Sequence, residues 1–539
     1  MSGSSSSGAK CDAPRPSAAR SFDRSVLGTG SDYGGPSGPI LKARNVLLGI
    51  AIGDAYGAGY ESLTPQEVPQ KFNLERYDPS PHPKAEQKAG HYTDDTQMSL
   101  AVAKLLLSEQ PFTEENLAAS FFNTYKRDRR VGYSSRTLKA LKNGIEKGSV
   151  REFLRSTVSS ATNGAAMRAV PLGVISDADE VRHCATVNAE ATHRTPEAVA
   201  SSNLVALASH YFFYDKGTAE GVFEFCLDHT RGMADYLDAF SMVANMSKME
   251  PSALPGWHPQ RGMQLEAVPM AAVSVLLARL FDDPTELLRA AVHLGGDTDT
   301  VSSIALGLFA ARRPIASLPS FLFEGLEPNG RFGREYLLSI GTLLASLLPM
   351  PVDLKERINY PGTKPTWVTH PLDGLFEPLE PRYLQQVMRG LMRQVPYRDG
   401  DIILGVDASG YIPAVAASIE TELPLMAAVK ADLESELKIP FDEPDAARTH
   451  VLLYQCPQGR VIIVDDEIMT GETLLNLVEA LEQNDCEVLA AVVPIESTRH
   501  DARSKLKAKG IELISHTRHC YDTKRPKLAQ MTFGSSSDD

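Results

Sequence analysis

Apolar positions fall along this chain in two different rhythms. Between about residues 40 and 347 they crowd into Ala/Leu-rich runs of more than ten residues, among them 97–108, 196–213, 267–281 and 300–312. Runs of that length and apolar density predict buried helices in an all-α body, and strand signals are nearly absent before about residue 400. A proline-rich stretch, 348–382, breaks the rhythm and reads as an interdomain linker able to pack on a neighbour. Beyond it an amphipathic helix (383–394) precedes apolar strand-like runs at 401–407, 425–430, 451–456, 460–466, 486–495 and 511–516. Helical stretches at 412–422, 472–484 and 501–509 lie between them. Strands buried on both faces and alternating with helices predict a doubly wound α/β domain. The ends, 1–39 and 523–539, are polar and hold too few apolar side chains to offset ordering entropy, so both are expected to be disordered tails. The expected fold class is therefore multidomain: an all-α domain over 40–347, the linker, and an α/β domain over 383–522.

Composition narrows the function classes. The 539 residues are 43% hydrophobic and 23% charged, within the globular range, which excludes collagen-like repeats and wholesale disorder. A net charge of −14 argues against a broad surface for nucleic-acid phosphates. None of the six cysteines has CxxC spacing, so free thiols in a reducing compartment are expected. No apolar run is long enough to span a membrane, and the first residues lack the apolar core of a secretory signal. A soluble cytoplasmic protein, with no nucleic-acid or membrane partner, is the resulting expectation.

Two acidic motifs stand out, Thr93-Asp94-Asp95-Thr96 and Gly295-Gly296-Asp297-Thr298-Asp299-Thr300, each directly before a helical run. An Asp or Thr in that position is first of all an N-cap. A cap uses one side-chain oxygen, however, and these motifs supply many more. Hard divalent cations such as magnesium or manganese need such a crowd of oxygens, and like charges brought close need a cation to compensate them. Gly49, Gly53 and Gly57 are spaced so that another helix or a substrate could approach closely. Asp54 between them reads more readily as a structural carboxylate than as a catalytic one.

The segments 53–61 (GDAYGAGYE), 92–98 (YTDDTQM), 163–173 (NGAAMRAVPLG), 191–198 (ATHRTPEA) and 293–308 (HLGGDTDTVSSIALGL) resemble, in order and spacing, the successive motifs of the ADP-ribosylglycohydrolase family. The resemblance implies an all-α fold with a binuclear magnesium centre that removes ADP-ribose from protein side chains or small molecules. It assigns Thr93, Asp94, Asp95, Asp297, Asp299 and Thr300 as metal ligands and Glu61, Asp95 and Asp297 to catalysis. Gly132, Tyr133 and Ser134 resemble a loop lying along the ribose and pyrophosphate. Asn163, Gly164, Met167 and Arg168 match a segment lining the pocket, and His193 matches a further ADP-ribose contact, with a structural histidine as its alternative. Oxocarbenium character develops at C1 when the glycosidic bond breaks, so the site must fix the ribose, place a water and protonate the leaving group.

In the second domain, 461–481 (VIIVDDEIMTGETLLNLVEAL) reads as strand, turn and helix. It places Asp465 and Asp466 at the C-terminal edge of the sheet, with Thr470, Gly471, Glu472 and Thr473 opening a helix whose free N–H groups suit an anion. Two carboxylates for vicinal hydroxyls beside a phosphate loop describe a ribose 5-phosphate; the alternative is a strand ending in solvated acids before a capped helix. The segment resembles the phosphoribosyl-binding signature of type I phosphoribosyltransferases, which implies that Asp465 and Asp466 hold ribose hydroxyls and that Thr470, Gly471 and Thr473 hold the 5-phosphate. Lys430 stands where the family has a pyrophosphate lysine. There are departures: Glu472 often has Gly in its place, and the loop 407–410 carries no Arg or Lys. The expected ligands are thus an ADP-ribosylated protein or ADP-ribose compound, and a ribose 5-phosphate or phosphoribosyl pyrophosphate. The alternative is a non-catalytic protein that senses ribose phosphates.

Overall fold

The computed structural model describes residues 38–520 apart from 82–85, 109, 158, 329, 357–365, 376–377, 408 and 443–449. The expected C-terminal tail lies outside the described residues, as does the N-terminal one up to residue 37. Gly38 and Pro39 already belong to the first helix, α1 (Gly38–Gly57), since proline's fixed φ suits a first turn. The body that follows is helical. The runs expected to be helices appear as α2 (Asp94–Leu106), Pro196–Phe213, Ala267–Leu280 and α3 (Thr298–Arg312). Their residues are buried almost all round. One short antiparallel pair, β1 (Trp257–His258) and β2 (Gly262–Met263), interrupts this body.

At the centre, α1 lies against α3 at backbone contact. A β-carbon on Gly53 would stand 2.2 Å from Ser302 O, and one on Gly57 2.4 Å from Thr298 O. Only a residue without a side chain fits there. The close spacing read from the sequence is therefore a helix–helix seam.

The linker is more structured than its prolines suggested. It holds the antiparallel pair β3 (Asp353–Glu356) and β4 (Thr366–Thr369), after the helix α4 (Arg334–Ala345). Beyond it come α5 (Pro381–Met392), β5 (Ile402–Val406), β6 (Leu425–Ala428), β7 (Ile439–Asp442) and β8 (His450–Leu453). Then follow β9 (Val461–Val464), β10 (Glu467–Ile468), α6 (Glu472–Glu482), β11 (Val488–Ser497) and β12 (Glu512–His519). A parallel sheet runs β12-β11-β9-β5-β6, with β10 continuing alongside β11. The run 451–456 departs from expectation: its strand β8 pairs antiparallel with β7, outside the parallel sheet, and bridges to that sheet's edge between Val429 and Leu452. Among the described residues no crossover helix of the kind a parallel strand needs lies between β6 and β8.

The two parts share one interior. The amphipathic α5 buries Tyr383, Val387, Met388 and Leu391, and one apolar cluster runs from the helical body through this helix to Ile462, Val492 and Ile514 of the sheet. Hydrogen bonds cross the same seam: Met350 N donates to Thr517 Oγ1 at 2.8 Å, His516 Nε2 to Ser346 O at 2.7 Å, and His519 Nε2 to Met350 O at 2.6 Å. Among the described residues no helix is long and apolar enough to cross a membrane.

Gly53→Ala is expected to destabilise the protein by about 1–3 kcal/mol through overpacking of the α1–α3 seam. Gly390→Ala is the contrast: its β-carbon meets nothing within 4 Å, so removing helical glycine there should stabilise by about 0.5–1 kcal/mol. Chemical denaturation of both variants checks the pair, and equal effects would contradict the seam.

Candidate active site

The contact between α1 and α3 sets one wall of the first site. The loop before α3 is sewn in place by backbone bonds: Gly296 N donates to Leu63 O, Ser62 N to Gly296 O, Met263 N to Gly295 O and Asp297 N to Met263 O. Those bonds hold Glu61 beside Asp297. The second wall comes through Asp54, a fully buried carboxylate on α1. Both its oxygens accept the Thr93 N–H at 3.0 Å, and Oδ2 also accepts Thr96 N–H at 3.0 Å and Thr96 Oγ1 at 2.6 Å. Asp54 thus caps α2 from another helix and brings the two acidic motifs together. It is structural, as its sequence position suggested.

That outside cap changes what the motif residues are free to do. Thr93 and Asp297 occupy the N-cap positions of α2 and α3, yet neither makes a side-chain capping bond. Thr93 Oγ1 and Asp95 Oδ1 are buried with no hydrogen-bond partner. Asp297 Oδ2 accepts Asn163 Nδ2 at 2.6 Å, and Asp299 Oδ1 accepts Thr300 N–H at 2.9 Å. The acids raise one another. Burial first, then the Asp54 charge, pushes Asp94 and Asp95 well above the usual carboxylate range. Burial and the Glu61 charge do the same to Asp299. Glu61 itself is pushed up to about 7 by burial, Asp297 and Asp54. Among the described residues no three His, Cys, Asp or Glu side chains converge tightly enough to hold an ion as they stand. The donor set nevertheless fits a hard divalent cation: every ligand atom is oxygen, two of the buried ones are unpartnered, and the carboxylates repel one another.

The expected ADP-ribose contacts divide into two groups. Gly132 and Tyr133 sit at the acids: a β-carbon on Gly132 would stand 2.1 Å from Asp94 Oδ1, and Tyr133 Oη donates to Gln97 Oε1 at 2.8 Å. Asn163 also faces the site, through Asp297. The rest brace it. Ser134 caps the helix Ser135–Glu146 by accepting Thr137 N–H. Arg168, expected to line the pocket, is 1% exposed. Its guanidinium is committed to Asn188 Oδ1, Asn188 O and Thr192 Oγ1, each at 2.7 Å. His193 packs its ring against Gly164, 2.6 Å from where a β-carbon would be, and shares a 2.7 Å bond with Thr192. Burial holds it neutral, its pKa lowered to about 3. Met167 is buried with them and donates its N–H to Asn163 O.

Sequence reasoning missed the clamp behind Tyr92. Glu327 accepts Tyr92 N–H at 3.2 Å, pairs with Arg130 and stands 3.1 Å from His91, while Arg130 lies 4.0 Å from the Tyr92 ring centre. This ties the 129–135 loop to the 92–96 motif. Arg130 lies two residues before Gly132, whereas nothing local in the sequence marks Glu327.

In the second domain, Asp465 and Asp466 follow β9 at the C-terminal edge of the sheet, and Asp465 Oδ1 accepts Asp466 N–H at 2.9 Å. Gly471 opens α6 in a left-handed conformation, φ 78°, a turn that favours glycine. Glu472 and Thr473 follow in the first turn of that helix, and Thr470 Oγ1 accepts Glu472 N–H at 3.4 Å. Across the edge, Lys430 N donates to Asp407 Oδ2 at 3.0 Å. Ala408 lies outside the described residues. His370, from the linker, stands 3.7 Å from Asp466 Oδ2, and sequence reasoning gave no sign of it.

A family model described as ADP-ribosylglycohydrolase matches residues 37–352, and one described as phosphoribosyl transferase domain matches residues 384–520. Over 320 residues the chain is 28% identical to an uncharacterized protein of Archaeoglobus fulgidus, covering 57% of this chain and 96% of that one. Over 340 residues it is 24% identical to the ADP-ribosylhydrolase ARH3 of Bos taurus, covering 56% and 93%. Over 153 residues it is 28% identical to the hypoxanthine/guanine phosphoribosyltransferase of Methanocaldococcus infernus, covering 28% and 80%.

Asp54→Ala leaves three buried donors at the start of α2 without an acceptor, at about 1–3 kcal/mol each. A loss of at least about 2 kcal/mol in denaturant unfolding is expected, against about 1 kcal/mol for Thr96→Val. Unchanged stability in the alanine variant would refute the remote cap.

Proposed function

Because the chain belongs to the ADP-ribosylglycohydrolase family and carries a phosphoribosyltransferase domain behind it, we propose that it cleaves the ribosyl C1 bond of ADP-ribose attached to protein side chains or small molecules. The observation that carries this reading is the meeting of two acidic helix starts whose N-cap side chains do no capping. Thr93, Asp94, Asp95, Asp297, Asp299 and Thr300 are the oxygens that would hold two magnesium ions, or manganese in their place. When bound, such ions supply fixed positive charge that orients ribose hydroxyls and makes water a better nucleophile.

The chain's own residues do the rest. Gly132 lets the loop backbone come directly against Asp94, where a side chain would collide, and so sets the loop beside the acids that would face the ribose. Tyr133, held by Gln97, offers its ring as the neighbouring wall. Glu61, half-buried and pushed up to about 7, is able both to give a proton to the departing atom on C1 and to take one from water near neutral pH. Asn163 keeps Asp297 oriented toward it. In the second domain Asp465 and Asp466 are placed to receive ribose hydroxyls and the start of α6 to receive a 5-phosphate, so that domain binds a 5-phosphoribosyl ligand. Among the described residues the cysteines are unbridged, which suits a reducing compartment such as the cytoplasm.

Arginine- and serine-ADP-ribosylated peptides, incubated with the protein and magnesium, test the first half. Release of ADP-ribose is expected from at least one, and is expected to be abolished by chelation and by Asp94→Asn. No release from either peptide or from small ADP-ribose conjugates would sink the reading. Magnesium should also raise the melting temperature, and more at about pH 7.5 than at about pH 5. The sign follows from the raised carboxyls: without a cation the folded state binds more protons than the unfolded, so its stability falls as pH rises from the ordinary carboxyl range toward neutrality. A magnesium shift that is equal or larger at the lower pH would contradict the ligand set. Calorimetry with phosphoribosyl pyrophosphate tests the second half, where binding is expected to be lost in Asp465→Asn.

A further inference from the structure

His370 lies between the two matched segments, outside both. It follows β4 directly, and its side chain is 1% exposed. The Leu372 N–H donates to its Nδ1 at 3.2 Å, and the Asp373 carboxylate takes its backbone N–H at 2.9 Å. With Nδ1 acting as acceptor, the ring's proton sits on Nε2. That atom is buried and makes no hydrogen bond, and Asp466 Oδ2 stands 3.7 Å from it, within ion-pair range but beyond a hydrogen bond. A buried, unsatisfied donor set against one member of an acidic pair is costly unless it does something for that pair.

Resting on the reading of the second domain as a phosphoribosyl binder, we infer that His370 is a positioning residue for that site. The linker supplies it to hold Asp466 as the ionised acceptor of a ribose hydroxyl. Two adjacent carboxylates at a sheet edge compete for one proton. A donor placed beside only one breaks the symmetry, so that one acid ionises first and the other retains its proton. The two directions agree with this. Burial and the Asp466 charge push Asp465 well up, whereas at Asp466 burial is outweighed by the His370 side chain together with the Asp465 side chain and the local backbone, which hold the carboxyl below its ordinary value. An ionised acceptor makes the stronger, charge-assisted bond to a hydroxyl. The hydrolase body and the second site are then linked covalently through the residue that completes the latter.

Calorimetry on the full chain with ribose 5-phosphate tests this in wild type, His370→Phe, His370→Gln, Asp466→Asn and the Phe/Asn double variant. His370→Phe is expected to weaken binding about tenfold or more. His370→Gln, which keeps a side-chain N–H, is expected to stay within about twofold of wild type. In the Asp466→Asn background the Phe substitution should have no further effect, since a residue acting through Asp466 has nothing left to position. A purely structural histidine would instead give penalties that add and a glutamine variant as weak as the phenylalanine one, and either result overturns the inference. If His370→Phe fails to fold, the glutamine variant alone decides, because a tenfold loss there refutes the role. Wild-type protein that binds no ribose 5-phosphate overturns the phosphoribosyl reading itself, and the inference with it. Wild type that binds while His370→Phe binds equally well overturns only the inference.

Discussion

Everything in the helical domain depends on how closely α1 and α3 approach. Their contact is set by backbone at Gly53 and Gly57, where a β-carbon would fall 2.2 and 2.4 Å from carbonyl oxygens of the facing helix. Ordinary helix pairs keep 8–10 Å between axes because side chains hold them apart. Removing those side chains lets the end of α1, with Asp54, and the turn after it, with Glu61, reach the start of α3, with Asp297 and Asp299. The same helix then reaches α2 through Asp54. One seam therefore assembles three parts of the site.

Assembling it buries acid. Asp54 lies fully buried, and Asp94, Asp95, Asp299 and Glu61 are all raised by burial and by one another. Asp54 has compensation within the protein, since backbone and hydroxyl donors of α2 surround it, and it still rises to about 6. The other acids lack comparable donors. That contrast separates a carboxylate doing structural work from carboxylates held ready for something else. It also explains the unused N-caps: once Asp54 satisfies the start of α2, Thr93 Oγ1 has no structural duty left.

The second domain is not a separate bead on a string. α5 lies between the helical body and the sheet, and its apolar face joins both interiors into one cluster. The linker before it contributes Met350 to hydrogen bonds with β12 and His370 to the acidic pair after β9. The linker is thus packed against the sheet, and His370 stands beside Asp466 from outside the α/β domain.

The sequence by itself determined the helical rhythm, the parallel-strand rhythm, the two acidic motifs and the acid pair with the loop that follows it. Periodicity records which face of an element is buried, and short motifs record chemistry that must be contiguous, so both are legible along the chain. Glu327 is 235 residues from the Tyr92 that it holds. Such pairings leave no periodic trace, and only tertiary structure reveals them. The same is true of the Asp54 cap, the burial of Arg168 among internal acceptors, the antiparallel placing of β8 and the approach of His370 to Asp466. In each case two groups remote in sequence satisfy, or fail to satisfy, one another's charge and hydrogen bonds, and that depends on where the fold puts them.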